Sequence, residues 1–341
     1  MRIAIVNDLA LARDVLRRLV MTVPGYSVAW MAEDGEEAVR RAAADRPDVI
    51  LMDLIMPRLN GVEATRQIMR TSPCPVVVVT ATVTGNYDLV IQAMGAGALD
   101  AAETPTYGQG GTILNGEKLL ARLAKVKAAL GGVTRSWMAV PLPPAVPATN
   151  LPPLVLLGAS TGGPDALGEV LSAFPANFPA AVLIAQHIAA EFTPGLVQQL
   201  GARCAIPVRI AREGDRPTAG VVLVAASDDH LAITDELTLR YTPEPRKYPF
   251  RPSVDVLFSS AAARWPQAGV AVLLTGMATD GAEGLLRLRS VFWHTIAQDE
   301  ATCVVYGMPK AAAEKRAAVE VLPLSQIGSA IVAKVLMSQR R

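Results

Sequence analysis

Leu154-Val155-Leu156-Leu157-Gly158-Ala159-Ser160-Thr161-Gly162-Gly163 is an apolar run that breaks into Gly-x-Ser-x-Gly. The run reads as a buried strand, and the glycines around Ser160 predict a sharp turn that opens a helix, the strand-to-helix unit of an α/β fold. A side chain at the flanking glycines would collide with the neighbouring strand and helix. The turn lifts the Ser160 hydroxyl clear of the sheet and sets the following N–H groups, with the positive helix end, beside it. Acyl transfer needs that combination of an exposed nucleophile and a ready oxyanion site. A Gly-rich turn that holds a phosphate, or only turns the chain, is the competing reading.

A serine nucleophile needs a base, and the chain offers only His187, His230 and His294. His187 ends a second apolar run, Ala180 to Gln186, with a helical pattern between it and Ser160 over Pro164 to Phe174. One strand–helix–strand unit fits that spacing and makes the two strands neighbours, so Ser160 and His187 share the crevice at the carboxyl ends. His230 lies in a polar turn before Leu231-Ala232-Ile233, and His294 in a strand-like run; a satisfied structural role is expected for both. Two acids compete to orient the imidazole. Asp280 follows a third apolar run and precedes Gly281, whereas Asp255 sits at the start of an amphipathic helix, where a carboxylate is favoured by the helix dipole alone. Asp280 meets the same strand-end rule as Ser160 and His187, and the three then fall into the roles of nucleophile, base and orienting acid.

The first third alternates strands and helices: Arg2 to Val6, a helix from Ala10 to Met21, Asp48 to Asp53, Pro75 to Thr80, and Gly97 to Ala102 leading to Thr104-Pro105. This pattern predicts a doubly wound parallel sheet. Asp8 and Asp53 then converge at its carboxyl edge with Thr80 beside them. Two carboxylates with a backbone carbonyl suit Mg²⁺, and a carboxylate held there can accept a phosphoryl group. Helix capping by such acids is the plain alternative.

These residues resemble known families over nearly the whole chain. Asn7-Asp8, Leu51 to Pro57, Gly61-Val62-Glu63-Ala64, Gly97 to Asp100 and Thr104-Pro105 make residues 1–123 similar to a response-regulator receiver domain. Gly158 to Gly163, Gln186-His187, Arg251 to Phe258, Leu274 to Met277, Asp280-Gly281 and Ala297 to Thr302 make residues 151–338 similar to the catalytic domain of the chemotaxis protein-glutamate methylesterases, the CheB family. The resemblance implies Ser160, His187 and Asp280 as the triad, favours Asp280 over Asp255, and assigns the oxyanion site to the backbone at Thr161 and Met277. It implies Asp53 as the phosphorylation site, Thr80 and Thr104 as switch positions, and Asp8, Asp53 and the Ile55 carbonyl as Mg²⁺ ligands, with no cofactor for the hydrolase. A methyl-accepting chemoreceptor is the implied substrate, with deamidation of glutamine as a second activity, and a CheA-type histidine kinase is the implied phosphodonor. A non-catalytic docking module gated by the receiver is the competing class.

Three departures from the family pattern stand out. Asn7 replaces one of two adjacent acids, Thr104 replaces a lysine, and Ala278 replaces a glycine after Met277. Asn7, Thr104 and the run from Asp100 to Pro105 resemble the Wsp-type branch of the family. Between the domains, 124–150 reads as a linker, with Pro141, Pro143, Pro144 and Pro147 keeping it stiff and poorly helical. A net charge of +1 gives no electrostatic case for nucleic acid. Charges and prolines break every apolar run before the roughly 20 residues of a membrane span. The chain opens directly on a strand, without a secretion signal, and Cys74, Cys204 and Cys303 have neither paired nor metal-ligand spacing, so a cytoplasmic protein is expected.

Overall fold

A computed structural model describes residues 1–81, 86–130 and 151–338. The chain divides into two compact units, Met1–Val133 and Thr134–Arg341.

In the first unit β1 (Arg2–Val6), α1 (Ala10–Met21), β2 (Ser27–Ala32), α2 (Gly35–Ala44), β3 (Val49–Met52), α3 (Gly61–Thr71), β4 (Val76–Thr80), α4 (Tyr87–Ala96) and β5 (Asp100–Glu103) alternate. The sheet order is β2-β1-β3-β4-β5 with every pair parallel. Helices cover both faces of such a sheet, which is why β3 and β4 are buried at every residue and read as continuous apolar runs. A two-stranded hairpin, β6 (Thr106–Tyr107) and β7 (Ile113–Leu114), precedes α5 (Gly116–Leu130). The helix runs past the expected domain end at 123, because Leu119, Leu123 and Val126 continue one buried face. The rest of the expected linker, 131–150, lies outside the described residues.

The second unit begins with β8 (Leu154–Ala159), α6 (Gly163–Ser172), β9 (Ala181–Gln186), α7 (Thr193–Arg203), β10 (Val208–Ile210) and β11 (Val221–Val224). An antiparallel pair follows, β12 (His230–Ile233) with β13 (Leu239–Thr242). The unit ends with α8 (Val254–Arg264), β14 (Val270–Leu273), α9 (Ala282–Ser290), β15 (His294–Gln298), α10 (Met308–Glu314), β16 (Glu320–Leu322) and α11 (Leu324–Ser338). Its parallel sheet has the order β10-β11-β9-β8-β14-β15-β16. The chain leaves β8 toward β9 on one side and returns through β14 on the other. The crevice at the carboxyl end of β8 is therefore a topological switch point, where open α/β sheets bind ligands. Among the described residues, no helix is long and apolar enough to cross a membrane.

Candidate active site

β8 carries Ser160 one residue beyond its end, and β9 carries His187 in the same way, with Ala159 paired to Gln186 and the His187 N–H donating to the Ala159 carbonyl at 3.0 Å. The turn between β8 and α6 needs its glycines. Gly162 has φ +78°, and a Cβ there would stand 2.7 Å from Val304 Cβ; a Cβ on Gly158 would stand 2.3 Å from Val254 Cγ1. The Gly163 N–H donates to the Ser160 carbonyl at 2.7 Å, and Gln186 braces the same carbonyl through Nε2 at 2.8 Å. Ser160 is thus held from its own helix and from the neighbouring strand.

Asp280 lies beyond the carboxyl end of β14, in the turn before α9. It is the acid that meets the histidine: His187 Nε2 stands 2.7 Å from Asp280 Oδ2. The same carboxylate accepts the Val254 N–H at 2.7 Å, the Ser253 Oγ–H at 2.8 Å and the Asp255 N–H at 3.1 Å. Burial alone would raise its pKa, but His187 and these donors at the N-terminus of α8 outweigh it and hold the carboxyl below its ordinary range. With Asp280 ionised and accepting, the imidazole carries its proton on Nε2 and leaves the Nδ1 lone pair free to act as a base. Ser160 Oγ and His187 Nδ1 are both buried and have no hydrogen-bond partner among the described residues. Two unpaired polar atoms at adjacent register positions of paired strands are costly to maintain unless a substrate uses them.

Asp255 does a different job. Its carboxyl accepts the Gly284 N–H at 2.7 Å and joins α8 to α9. Burial, reinforced by the charge of Asp280, pushes its pKa well above the ordinary value, so of the two neighbouring carboxyls Asp280 keeps the charge. His230 is buried and accounted for by the Ser253 N–H and the Pro245 carbonyl. His294 begins β15, at the other end of the sheet, where Nε2 lies 3.3 Å from Glu320. Neither reaches the crevice.

The backbone at Gly276 passes directly against Ser160, where a Cβ would meet Ser160 Cβ at 2.7 Å. The Gly276 carbonyl accepts the N–H groups of Gly307 and Met308, which pins the segment leading to Met277. On the other side of Ser160, the Thr161 carbonyl accepts the Thr275 hydroxyl at 2.9 Å. The Ser160-Thr161 turn and the Thr275–Met277 segment are therefore tied directly to each other, through the Thr275 hydroxyl and through the Ser160 N–H donating to the Thr275 carbonyl at 3.0 Å. Ala278, the departure from glycine, takes φ +70°. Two residues of the site had no role assigned from the sequence. Phe250 stacks on the His187 ring, with centroids 4.5 Å apart and planes at 16°. Ser253 caps α8 and hydrogen-bonds Asp280; a serine just before an apolar helical run is the signal that marks it.

In the receiver-like unit Asp53 follows β3, and each carboxylate oxygen is engaged: the Leu54 N–H donates to Oδ1 at 2.7 Å and the Asn7 amide to Oδ2 at 2.9 Å. Burial, with Asp8 adding repulsion, pushes this carboxyl up to about 6. Asp53 and Asp8 are neighbouring hard-oxygen donors whose mutual repulsion a divalent cation would relieve, a donor set that fits Mg²⁺. Thr80 and Thr104 come together at the ends of β4 and β5, where the Thr104 N–H donates to the Thr80 carbonyl at 2.9 Å. The Thr80 hydroxyl accepts from Asn86 Nδ2 at 3.0 Å.

Residues 155–331 match the CheB methylesterase family, and residues 3–105 match the response regulator receiver domain. A Burkholderia thailandensis protein named protein-glutamate methylesterase/protein-glutamine glutaminase 4 is 49% identical over 342 residues, which cover 100% of this chain and 99% of that protein. A Bordetella avium protein named protein-glutamate methylesterase/protein-glutamine glutaminase 1 is 50% identical, covering 96% of this chain and 95% of its own length. The crystal structure of the Thermotoga maritima CheB methylesterase catalytic domain, 32% identical, superposes with a TM-score of 0.51 and covers 54% of this chain and 98% of that one. The chain belongs to the CheB methylesterase family and carries a receiver domain ahead of its catalytic domain.

Proposed function

We propose that this protein is a phosphorylation-regulated protein-glutamate methylesterase that hydrolyses glutamate methyl esters on the helices of a methyl-accepting chemoreceptor and deamidates glutamine by the same route. Ser160 Oγ attacks the ester carbonyl while His187 Nδ1 takes its proton. The oxyanion is received by the N–H groups of Thr161 and Met277, and Asp280 stabilises the imidazolium through Nε2. Collapse expels methanol with the proton returned from His187, leaving a glutamyl ester on Ser160. Water, deprotonated by His187, then releases the glutamate; with glutamine the leaving group is ammonia.

The observation that carries this reading is the His187–Asp280 pair beside two unpartnered buried atoms, Ser160 Oγ and His187 Nδ1. The docking-module alternative leaves that arrangement without a use. Asp53 is the proposed acceptor of a phosphoryl group from a CheA-type kinase in the cytoplasm. Asp8, Asp53 and the Ile55 carbonyl would hold the Mg²⁺, which supplies charge neutralisation at the acceptor carboxylate. Asn7 and Thr104 support placing the protein in the Wsp-type branch. Methanol release from a purified methylated receptor, with and without a phosphodonor, tests the reading. Failure of a serine-directed phosphonate to label Ser160, together with no methanol, favours the docking module instead.

A further inference from the structure

His230 has no step in the proposed chemistry, yet it is joined to the site by a short chain of hydrogen bonds. It begins β12, is 0% exposed, and its Nδ1 accepts the Ser253 N–H at 3.1 Å. Its Nε2 lies 3.3 Å from the Pro245 carbonyl, which only a protonated nitrogen can approach as a donor. The two contacts select one state of the ring, neutral with hydrogen on Nε2. Tyr248 packs edge-on against it, with ring centroids 5.8 Å apart. Around the ring, Asp280 and Asp229 favour a charge and Arg251 opposes one; burial is the largest influence, and the net shift is below the ordinary histidine range.

Ser253 is the N-cap of α8, and the N–H of a cap residue has no partner within its own helix. Asp280 takes its donors from three consecutive residues at this point: Ser253 Oγ, Val254 N–H and Asp255 N–H. Whatever fixes the backbone at Ser253 fixes the carboxylate, and the carboxylate fixes the imidazole of His187.

We propose that His230 is a positioning residue for the hydrolysis: its neutral imidazole anchors the Ser253 N–H so that the start of α8 presents its donors to Asp280 and keeps His187 aligned on Ser160. The inference rests on the triad reading of Ser160, His187 and Asp280.

Two substitutions separate this role from space filling. Asparagine places its Oδ1 where Nδ1 stands and can still accept from Ser253. Glutamine places its polar end near Nε2 and can serve Pro245 but not Ser253. Methanol release by the full chain is measured for the parent, His230→Asn and His230→Gln, below the melting midpoint of each. His230→Gln should lose about 10²-fold in kcat with KM unchanged, the scale of a misplaced catalytic group. His230→Asn should stay within about fivefold of the parent, roughly 1 kcal/mol of barrier. Equal losses in the two variants, full activity in both, or an effect confined to KM overturns the inference. A parent that releases no methanol overturns the triad reading instead, so the two failures are distinguishable.

Discussion

Replacing Asp280 by asparagine exchanges one oxygen for NH₂ and disturbs a carboxylate that accepts four hydrogen bonds. Oδ2 accepts from His187 Nε2 and the Val254 N–H; Oδ1 accepts from the Ser253 hydroxyl and the Asp255 N–H. An amide can accept at one end only, so its NH₂ must face donors on the other side. If NH₂ faces His187, the imidazole turns over its protonation: Nε2 accepts from the amide and the hydrogen moves to Nδ1, the atom that has to take the Ser160 proton. If NH₂ faces the α8 terminus, it opposes the Asp255 N–H, and the imidazolium still loses its counter-charge. The same substitution in a serine protease triad costs about 10⁴ in kcat through the wrong tautomer. Here kcat for methanol release should fall by about 10³- to 10⁴-fold, equivalent to roughly 4–5 kcal/mol of transition-state stabilisation. Stability should drop as well, by about 1–3 kcal/mol for the donor left unsatisfied. The assay is methanol release with circular dichroism and thermal melting as controls. A folded Asp280→Asn protein with kcat within tenfold of the parent, roughly 1.4 kcal/mol, would show that the acid neither sets the tautomer nor supports the charge.

Three further outcomes are expected. Thr104→Lys restores a cation toward the phosphoryl site, and a charge-assisted contact contributes about 1.5–3 kcal/mol, so the ratio of methylesterase rates with and without phosphodonor should rise; an unchanged ratio refutes a deficit at this position. Ala278→Gly relieves a left-handed alanine, φ +70°, which costs roughly 1–2 kcal/mol, less the extra freedom glycine gains in the unfolded chain. Melting of the catalytic unit should rise by a few degrees, and a fall would refute the strain. Asp53 is raised from 3.8 to about 6 by burial and by Asp8. A carboxyl raised in the folded state contributes stability below its unfolded value and loses it as pH rises through the folded value. In metal-free buffer, melting of the receiver unit should therefore fall from about pH 5 to about pH 7 more steeply in the parent than in Asp53→Asn; parallel profiles refute this.

The proposed triad was legible because parallel strands covered on both faces announce themselves as apolar runs: Ser160 and His187 directly follow β8 and β9, and Asp280 lies in the turn after β14. β8, β9 and β14 pair as neighbours, as the strand-end argument required. β2 was not legible: it is an edge strand in which Ser27 and Met31 are exposed and only Trp30 and Ala32 are buried, so no continuous run marks it. α5 runs past the expected domain end at 123 because a helical face continues through charged residues that composition alone reads as linker. The orientation of the imidazole and the Ser253–His230 chain depend on contacts between residues 23 to 93 positions apart. No local period carries that information. Asn7 was visible as a missing acid, but its direct bond to Asp53 appears only once β1 and β3 are paired.

The central claim is that Ser160 forms an acyl-enzyme with its substrate glutamate. It is tested most directly by methanol release from a purified methylated receptor, comparing the parent with Ser160→Ala. Folding and receptor binding should be near normal, while kcat falls by at least about 10⁴-fold and adding His187→Ala costs little more, because triad members act as a unit. A Ser160→Ala protein that retains activity within about tenfold of the parent, roughly 1.4 kcal/mol of barrier, contradicts the account.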